Sequence, residues 1–173
     1  VIASIYIHIP FCTKACHYCD YHFSTSLKLK SRLINSIAKE IGLRKDEIKT
    51  KIESIYFGGG TPSLLDKKEI SLILSQVHNS FNVSSEVECT LECNPENIKN
   101  NIINDWKDLG INRVSLGIQS FNDKSLELMN RSHDSSKALS SLSLIKNNFK
   151  NFSVDLIYGI PHSKLDDWKQ ALE

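Results

Sequence analysis

The 173-residue sequence has no apolar run long enough to cross a lipid bilayer, and its first ten residues lack the basic stretch that opens a secretory signal peptide. We therefore expect no transmembrane segment and a cytoplasmic location. The sequence also lacks an excess of charge, because 21 lysines and arginines stand against 20 aspartates and glutamates. That balance gives no electrostatic reason to expect nucleic acid or an anionic membrane as a partner.

Glycine and proline are few, at 7 and 4 residues, and no low-complexity stretch divides the chain. A chain of this length can bury a sizeable core as one unit. The sequence begins at Val1 rather than at methionine and stops within a helical pattern at Glu173. We therefore predict one domain over residues 1–173 that is incomplete at its C-terminal end.

Cysteine is scarce too, but its distribution is uneven. Three of the five cysteines, Cys12, Cys16 and Cys19, lie close together near the start of the chain. Such crowding in a chain without export signals favours metal binding in a reducing compartment over disulfide bonds. Cys89 and Cys93 lie on the apolar phase of a predicted strand, so we expect them to be buried as small hydrophobic residues.

Strand and helix patterns alternate along the chain. The predicted strands are residues 4–9, 54–57, 86–92, 113–119 and 152–157, and apolar stripes of helical period follow at residues 29–41, 70–81, 98–109, 138–149 and 165–173. Asp66 and Glu69 resemble a capping box at the start of the second helix, and Gly110 suits the end of the third. This alternation predicts an α/β fold with a parallel sheet and right-handed crossovers.

Each predicted strand has one apolar face and one small or polar face. In the first strand, for example, Ile5, Ile7 and Ile9 oppose Tyr6 and His8, because side chains alternate between the two faces. A polar face in every strand does not suit a packed core and favours a wet cavity inside a wide or incomplete (β/α) barrel. The polar residues gather at the C-terminal ends of the strands, where parallel α/β folds carry their active sites.

The crowded cysteines form a C-x3-C-x2-C motif directly after the first strand. Three thiolates in one loop can hold three irons of a [4Fe–4S] cubane and leave the fourth iron open. The amino and carboxylate groups of S-adenosylmethionine (SAM) can bind an open iron, and an electron passed to the sulfonium would break a C–S bond and release a 5′-deoxyadenosyl radical. Spacing alone leaves open a Cys3His zinc site that uses His17 or His22, and thiols without a metal function.

Five sequence blocks carry a resemblance to a known family. They are YIHIPFC with the following C..CDY, then YFGGGTPSLL, LECNP, GINRVSLGIQSFND and VDLIYGIP. In this order they resemble the oxygen-independent coproporphyrinogen III oxidase-like radical SAM family, which contains the oxidase and its relative, the haem chaperone. The resemblance implies a radical SAM core domain, a partial (β/α) barrel truncated here after about five strands, with a [4Fe–4S] cluster on the three crowded cysteines and SAM as a cofactor.

The resemblance also implies which residues contact SAM. They are Tyr6, Gly59, Gly60, Thr61, Glu92, Gln119, Arg131 and Asp155, and the resemblance further leads us to expect that Tyr18 and Phe11 shield the cluster. The residue types suit these roles. Glycines let the backbone approach a ligand closely, carboxylates and amides bind an ammonium or ribose hydroxyls, and a guanidinium binds a carboxylate. Without the resemblance, Arg131 reads as a solvated charge at a helix end.

One departure separates the two branches of the family. The oxidase branch carries a further cysteine two positions after the third ligand, whereas here Cys19 is followed by Asp20 and Tyr21. The CDY form resembles the haem chaperone branch, whose members bind haem and pass it to haemoproteins. The resemblance therefore implies haem, a recipient haemoprotein and an electron donor as partners. An oxidase acting on coproporphyrinogen III is the alternative, and a zinc-stabilised binding module is the third possibility.

Overall fold

The computed structural model describes residues 2–173 and consists of one five-stranded sheet covered by helices. The strands are β1 Ala3–Ile9, β2 Ile52–Gly59, β3 Val83–Cys93, β4 Arg113–Gln119 and β5 Asn151–Leu156. Their order in the sheet is β1-β2-β3-β4-β5, and each neighbouring pair is parallel. Strands that follow one another in sequence and in space form a partial (β/α) barrel, so the predicted fold class is confirmed.

Helices connect the strands. They are α1 Lys30–Leu43, α2 Lys67–Ser80, α3 Asn100–Asp108, α4 Asp123–Leu128, α5 Ser135–Asn148 and α6 Leu165–Leu172. All but α4 were predicted; α4 has only 6 residues, too few to show an apolar stripe. The capping box of α2 is confirmed, since Asp66 and Glu69 each accept a hydrogen bond from the other's backbone nitrogen at 2.9 Å. Within residues 2–173, no helix is long and apolar enough to cross a membrane.

The two faces of the sheet differ as predicted. Ile9, Phe57 and Leu116 lie on the face covered by the helices and have no exposed surface, and Cys89 and Cys93 are also buried. On the other face, Tyr6 is 59% exposed. Alternation along the strands therefore places the hydrophobic core on one side of the sheet and leaves the other side for the site described next.

Candidate cluster and SAM site

A cavity of about 440 Å³ lies at the C-terminal ends of the strands, on the polar side of the sheet. Every predicted metal-binding or SAM-binding residue lines it. These residues are Cys12, Cys16, Cys19, Tyr6, Tyr18, Gly59, Gly60, Thr61, Glu92, Gln119, Arg131 and Asp155. The parallel strands explain this convergence, because their carboxyl ends meet at one edge of the sheet and present the residues that follow them to the same space.

The cysteine loop is closed at its base by backbone hydrogen bonds. The Ser24 nitrogen donates to the Pro10 oxygen at 2.7 Å, and the Cys12 nitrogen donates to the Ser24 oxygen at 3.1 Å. The three cysteines are free thiols and are half-buried. Burial raises the pKa of the Cys12 thiol, although a hydrogen bond with Thr61 opposes the shift. Metal ligands must be thiolates, so a metal bound at Cys12 would displace a proton from it.

The two histidines near the loop lie outside the lining of the cavity. His17 Nδ1 lies 2.8 Å from the Leu128 oxygen, where it donates a hydrogen bond, and neither His17 nor His22 lines the cavity. In residues 2–173, no three cysteine, histidine, aspartate or glutamate side chains converge on a position for a single metal ion. Phe11 does not line the cavity with Tyr18; it is 3% exposed and packs in the main core.

The turn after β2 forms a cradle beside the cysteine loop. The Gly60 nitrogen donates to the Ile9 oxygen at 2.8 Å. A Cβ on Gly60 would lie 2.7 Å from the Phe11 oxygen and 2.9 Å from Cys12 Sγ, closer than such atoms can approach. Gly59 has φ +115°, a conformation that favours glycine, and a Cβ there would meet the His8 ring at 2.8 Å. The backbone therefore passes so close to the first cysteine that only glycine fits.

Glu92 is held by two donors at the floor of the cavity. Its carboxylate accepts from the Tyr56 hydroxyl at 2.8 Å and from the Gly59 nitrogen at 3.1 Å. Burial raises the pKa of Glu92, and these two hydrogen bonds oppose the shift only in part. Burial and the hydrogen bond to Glu92 also raise the pKa of Tyr56 to about 12. A partly desolvated carboxylate of this kind gains from a cationic ligand, such as an ammonium.

Arg131 comes from a different part of the chain and also lines the cavity. Its Nη2 donates to Asn94 Oδ1 and to the Gly117 oxygen, each at 2.8 Å, and its Nη1 donates to the Tyr18 hydroxyl at 3.2 Å. Its Nε is buried and has no hydrogen-bond partner among the described residues. The solvated helix-end interpretation of Arg131 is therefore wrong, because the side chain points inward and its guanidinium donates to groups from other parts of the fold.

Two further predicted residues lie at the ends of β4 and β5. Gln119 has φ +70°, and the register between β4 and β5 shifts beside it. That left-handed conformation is unusual for a residue other than glycine and is typical of functional sites. Asp155 accepts from the Ser115 hydroxyl at 3.3 Å, and Ser115 in turn accepts from Ser153 at 2.9 Å.

Sequence reasoning missed Asn94, which joins three walls of the cavity. Its Nδ2 donates to Thr61 Oγ1 at 3.2 Å, while its Oδ1 accepts from Arg131. One signal was present, because Asn94 lies two residues after Glu92 and so continues the same polar phase beyond the end of β3. Lys14 and Glu96 also line the cavity and were not predicted.

Comparison with known proteins gives a family and a set of relatives. The Radical SAM superfamily model matches residues 6–173. A protein named Heme chaperone HemW from Buchnera aphidicola subsp. Schizaphis graminum is 35% identical over 170 residues, which cover 95% of this chain and 44% of the relative. Heme chaperone HemW from Haemophilus influenzae is 36% identical over 185 residues, covering 98% of this chain and 48% of the relative. The chain thus spans about half the length of these relatives.

A solved structure has the same fold. Coproporphyrinogen III oxidase (HemN) from Escherichia coli, described as a radical SAM enzyme, matches with a TM-score of 0.89 and 27% sequence identity. The match covers 99% of this chain and 40% of the oxidase chain. The sequence relatives and the fold therefore agree with the Radical SAM superfamily match.

Proposed function

The chain belongs to the radical SAM superfamily, and on that premise we propose that it forms the [4Fe–4S]- and SAM-binding domain of a cytoplasmic haem chaperone. The family implies the cluster and SAM, whereas haem is the finer part of the proposal. The observation that carries it is the single cavity that all the predicted ligands line. In this proposal residues 1–173 belong to one radical SAM core domain.

We assign the cluster to the thiolates of Cys12, Cys16 and Cys19, which would leave one iron open for SAM. Such a cluster, when bound, supplies one electron to the SAM sulfonium. The donor set of the cavity fits this group, because free thiols line one wall and glycine at position 60 lets the backbone pass close to Cys12, where a Cβ would press on its Sγ.

The protein's own residues would bind and orient SAM in the remaining space. Arg131 lines the cavity, where its guanidinium can bind the methionine carboxylate. Glu92 can accept from the methionine ammonium, or from a ribose hydroxyl as Asp155 can. The backbone at Gly59 and Gly60 would allow close approach, Thr61 and Gln119 would supply further polar atoms, and Tyr6 and Tyr18 line the same cavity.

Two observations favour a haem chaperone over an oxidase. The third cysteine is followed by Asp20 and Tyr21, without the additional cysteine of the oxidase branch. The sequence relatives named above are called heme chaperones. Haem, a recipient haemoprotein and an electron donor are then the expected partners. The oxidase remains the second candidate function, because the TM-score with coproporphyrinogen III oxidase is 0.89.

Two assays on the full-length protein separate these candidates. The anaerobically reconstituted protein is titrated with haem, then mixed with an apo-haemoprotein, and in parallel it is incubated with SAM, a reductant and coproporphyrinogen III. We expect stoichiometric haem binding, transfer of haem to the acceptor, and no decarboxylated product. Formation of protoporphyrinogen without haem transfer would contradict the chaperone proposal and support the oxidase. A variant with Cys12, Cys16 and Cys19 changed to alanine is the control for dependence on the cluster.

A further inference from the structure

The end of α4 contacts the cysteine loop through consecutive residues. We call residues 128–131 the clamp segment. The Leu128 oxygen accepts from His17 Nδ1 at 2.8 Å, and the Met129 oxygen accepts from the His17 nitrogen at 3.1 Å. Asn130 Nδ2 donates to the Ala15 oxygen at 2.7 Å, and Arg131 Nη1 lies 3.5 Å from Cys16 Sγ. Both backbone and side chains therefore join this segment to the loop around the second cysteine.

The conformation of Asn130 makes these contacts possible. Its φ is +59°, in the left-handed region that asparagine tolerates better than most residues. The chain reverses at this residue at the end of α4, so the Asn130 side chain reaches the cysteine loop while Arg131 turns into the cavity. Beyond it, His133 is buried and its Nε2 donates to the Ile118 oxygen at 3.0 Å. The clamp segment is thus fixed to β4 on one side and to the cysteine loop on the other.

The contacts between the clamp segment and the cysteine loop affect how SAM would be held. A SAM molecule bound to the cluster and to Arg131 needs both at a fixed separation, although Cys16 and Arg131 are 115 positions apart in sequence. Direct hydrogen bonds between the clamp segment and the loop supply that fixed separation. Small errors in the position of a bound reactant reduce reactivity strongly, so the residues that set the separation matter as much as the ligands themselves.

We propose that His17 and Asn130 are positioning residues that hold Cys16 in register with Arg131, and so couple cluster binding to SAM binding. This inference rests on the proposed function. It gives His17 the role of a donor to the end of α4 rather than that of a metal ligand. It also gives Asn130 a reason for its left-handed conformation, which the SAM contacts alone do not require.

Paired variants of the full-length protein test this role. Asn130→Asp keeps the size and the tolerance for a positive φ, but it replaces the donor with an acceptor that faces the Ala15 oxygen. His17→Phe removes the donor to Leu128, whereas His17→Asn retains an N–H group near the position of Nδ1. Asn35→Asp is the matched control, because Asn35 also donates to a backbone carbonyl, that of Ser31, on the exposed side of α1.

We expect Asn130→Asp and His17→Phe to weaken SAM binding about tenfold or more, with iron content and melting temperature close to those of the unsubstituted protein. The change that SAM causes in the electron paramagnetic resonance (EPR) spectrum of the cluster is expected to shrink in the same two variants. His17→Asn and Asn35→Asp are expected to bind SAM normally. Amide exchange in the cluster-free protein gives a second readout, since the His17 amide is expected to exchange faster in Asn130→Asp.

Unchanged SAM affinity and unchanged His17 exchange in folded Asn130→Asp and His17→Phe would overturn the positioning role alone. If Asn130→Asp does not fold, Asn130→Gly keeps the backbone conformation without the side chain, and normal SAM affinity in that variant and in His17→Phe would overturn the role equally. An unsubstituted protein that assembles no cubane would overturn the proposed function and this inference together. Failure of the positioning role and failure of the proposed function therefore give different results.

Discussion

The two faces of the sheet show how the same strands serve stability and ligand binding. On β2, Phe57 has no exposed surface and packs in the main core, whereas its neighbour Tyr56 lies on the polar face and donates to Glu92 at 2.8 Å. One position along a strand moves a side chain from one face to the other. The apolar face therefore carries most of the stability of the fold, and the polar face is free to hold groups that a packed core would not accept.

The polar face contains groups whose interactions are incomplete without a ligand. Glu92 has a pKa raised by burial, and the Arg131 Nε is buried without a partner among residues 2–173. Buried polar groups without full hydrogen bonding destabilise a fold. The Glu92 carboxylate is also suited to an ammonium, so the polar face lowers the stability of the free protein where it can bind a charged ligand.

The largest effect on stability is expected for two neighbouring residues of β2, Phe57 and Tyr56, whose side chains lie on opposite faces of the sheet. Phe57→Ala should lower the free energy of unfolding by about 3–5 kcal/mol, because it leaves a cavity in the core. Tyr56→Phe should lower it by about 1–2 kcal/mol, because one hydrogen bond to the Glu92 carboxylate is lost and no core cavity forms. Urea denaturation of the reduced, cluster-free protein measures both. Equal losses would contradict the division between the two faces.

Substitution of two glycines distinguishes the effect of crowding at the site from the effect of backbone strain alone. In Gly60→Ala the new Cβ would lie 2.9 Å from Cys12 Sγ, so the cysteine loop must shift, at a cost of about 1–3 kcal/mol, and iron content after reconstitution should fall. Gly110→Ala is the control, since Gly110 has φ +84° but no atom within 4 Å of the added Cβ. We expect that variant to lose about 1–2 kcal/mol of stability and to assemble iron normally.

Substitution of two arginines on the polar side of the sheet tests whether SAM binding depends on the cavity or on the whole of that face. Arg131→Lys replaces a planar fork with a single ammonium and should weaken SAM binding by about tenfold to a hundredfold. Arg113→Lys is the control, because Arg113 lies at the opposite end of β4 and donates to Ser153 at 3.0 Å. Calorimetric titration with SAM measures both. A loss of affinity as large in Arg113→Lys would show that the whole polar face, and not its C-terminal end, forms the site.

The smallest effect is a pH dependence at Glu92. Its folded pKa lies above the ordinary value of 4.5. The stability that protonated Glu92 contributes is therefore present below 4.5 and is lost as the pH rises through the raised pKa. Glu92→Gln stays neutral, so this loss should disappear, and the variant should be at least as stable as the unsubstituted protein at neutral pH while binding SAM more weakly. Urea denaturation below 4.5 and at neutral pH tests this; an unchanged pH profile would contradict it.

Much of the fold could be predicted from the sequence because its signals are local. Alternation in the strands and the stripes of the longer helices gave the five parallel strands and all the helices except α4. The ends of elements were less well predicted: β3 begins at Val83, three residues before the expected start. Helix α4 was missed because a helix of 6 residues shows less than two turns of periodicity.

The site was predicted mainly from the resemblance. Cysteine spacing alone left a zinc site open, and without the resemblance Arg131 was interpreted as a solvated charge. The inward position of Arg131 depends on two acceptors from other elements, Asn94 and the Gly117 oxygen, which no local pattern reveals. The contact between Asn130 and Ala15 joins positions 115 apart, so it too depends on the tertiary fold.

The most direct test is EPR spectroscopy of the full-length protein, reconstituted anaerobically with iron and sulfide, reduced, and measured with and without SAM. The account predicts a cubane signal that changes when SAM is added, and that disappears when Cys12, Cys16 and Cys19 are all changed to alanine. A folded protein that shows no cubane signal, or a signal that SAM leaves unchanged, would contradict the assignment of this cavity to the cluster and SAM.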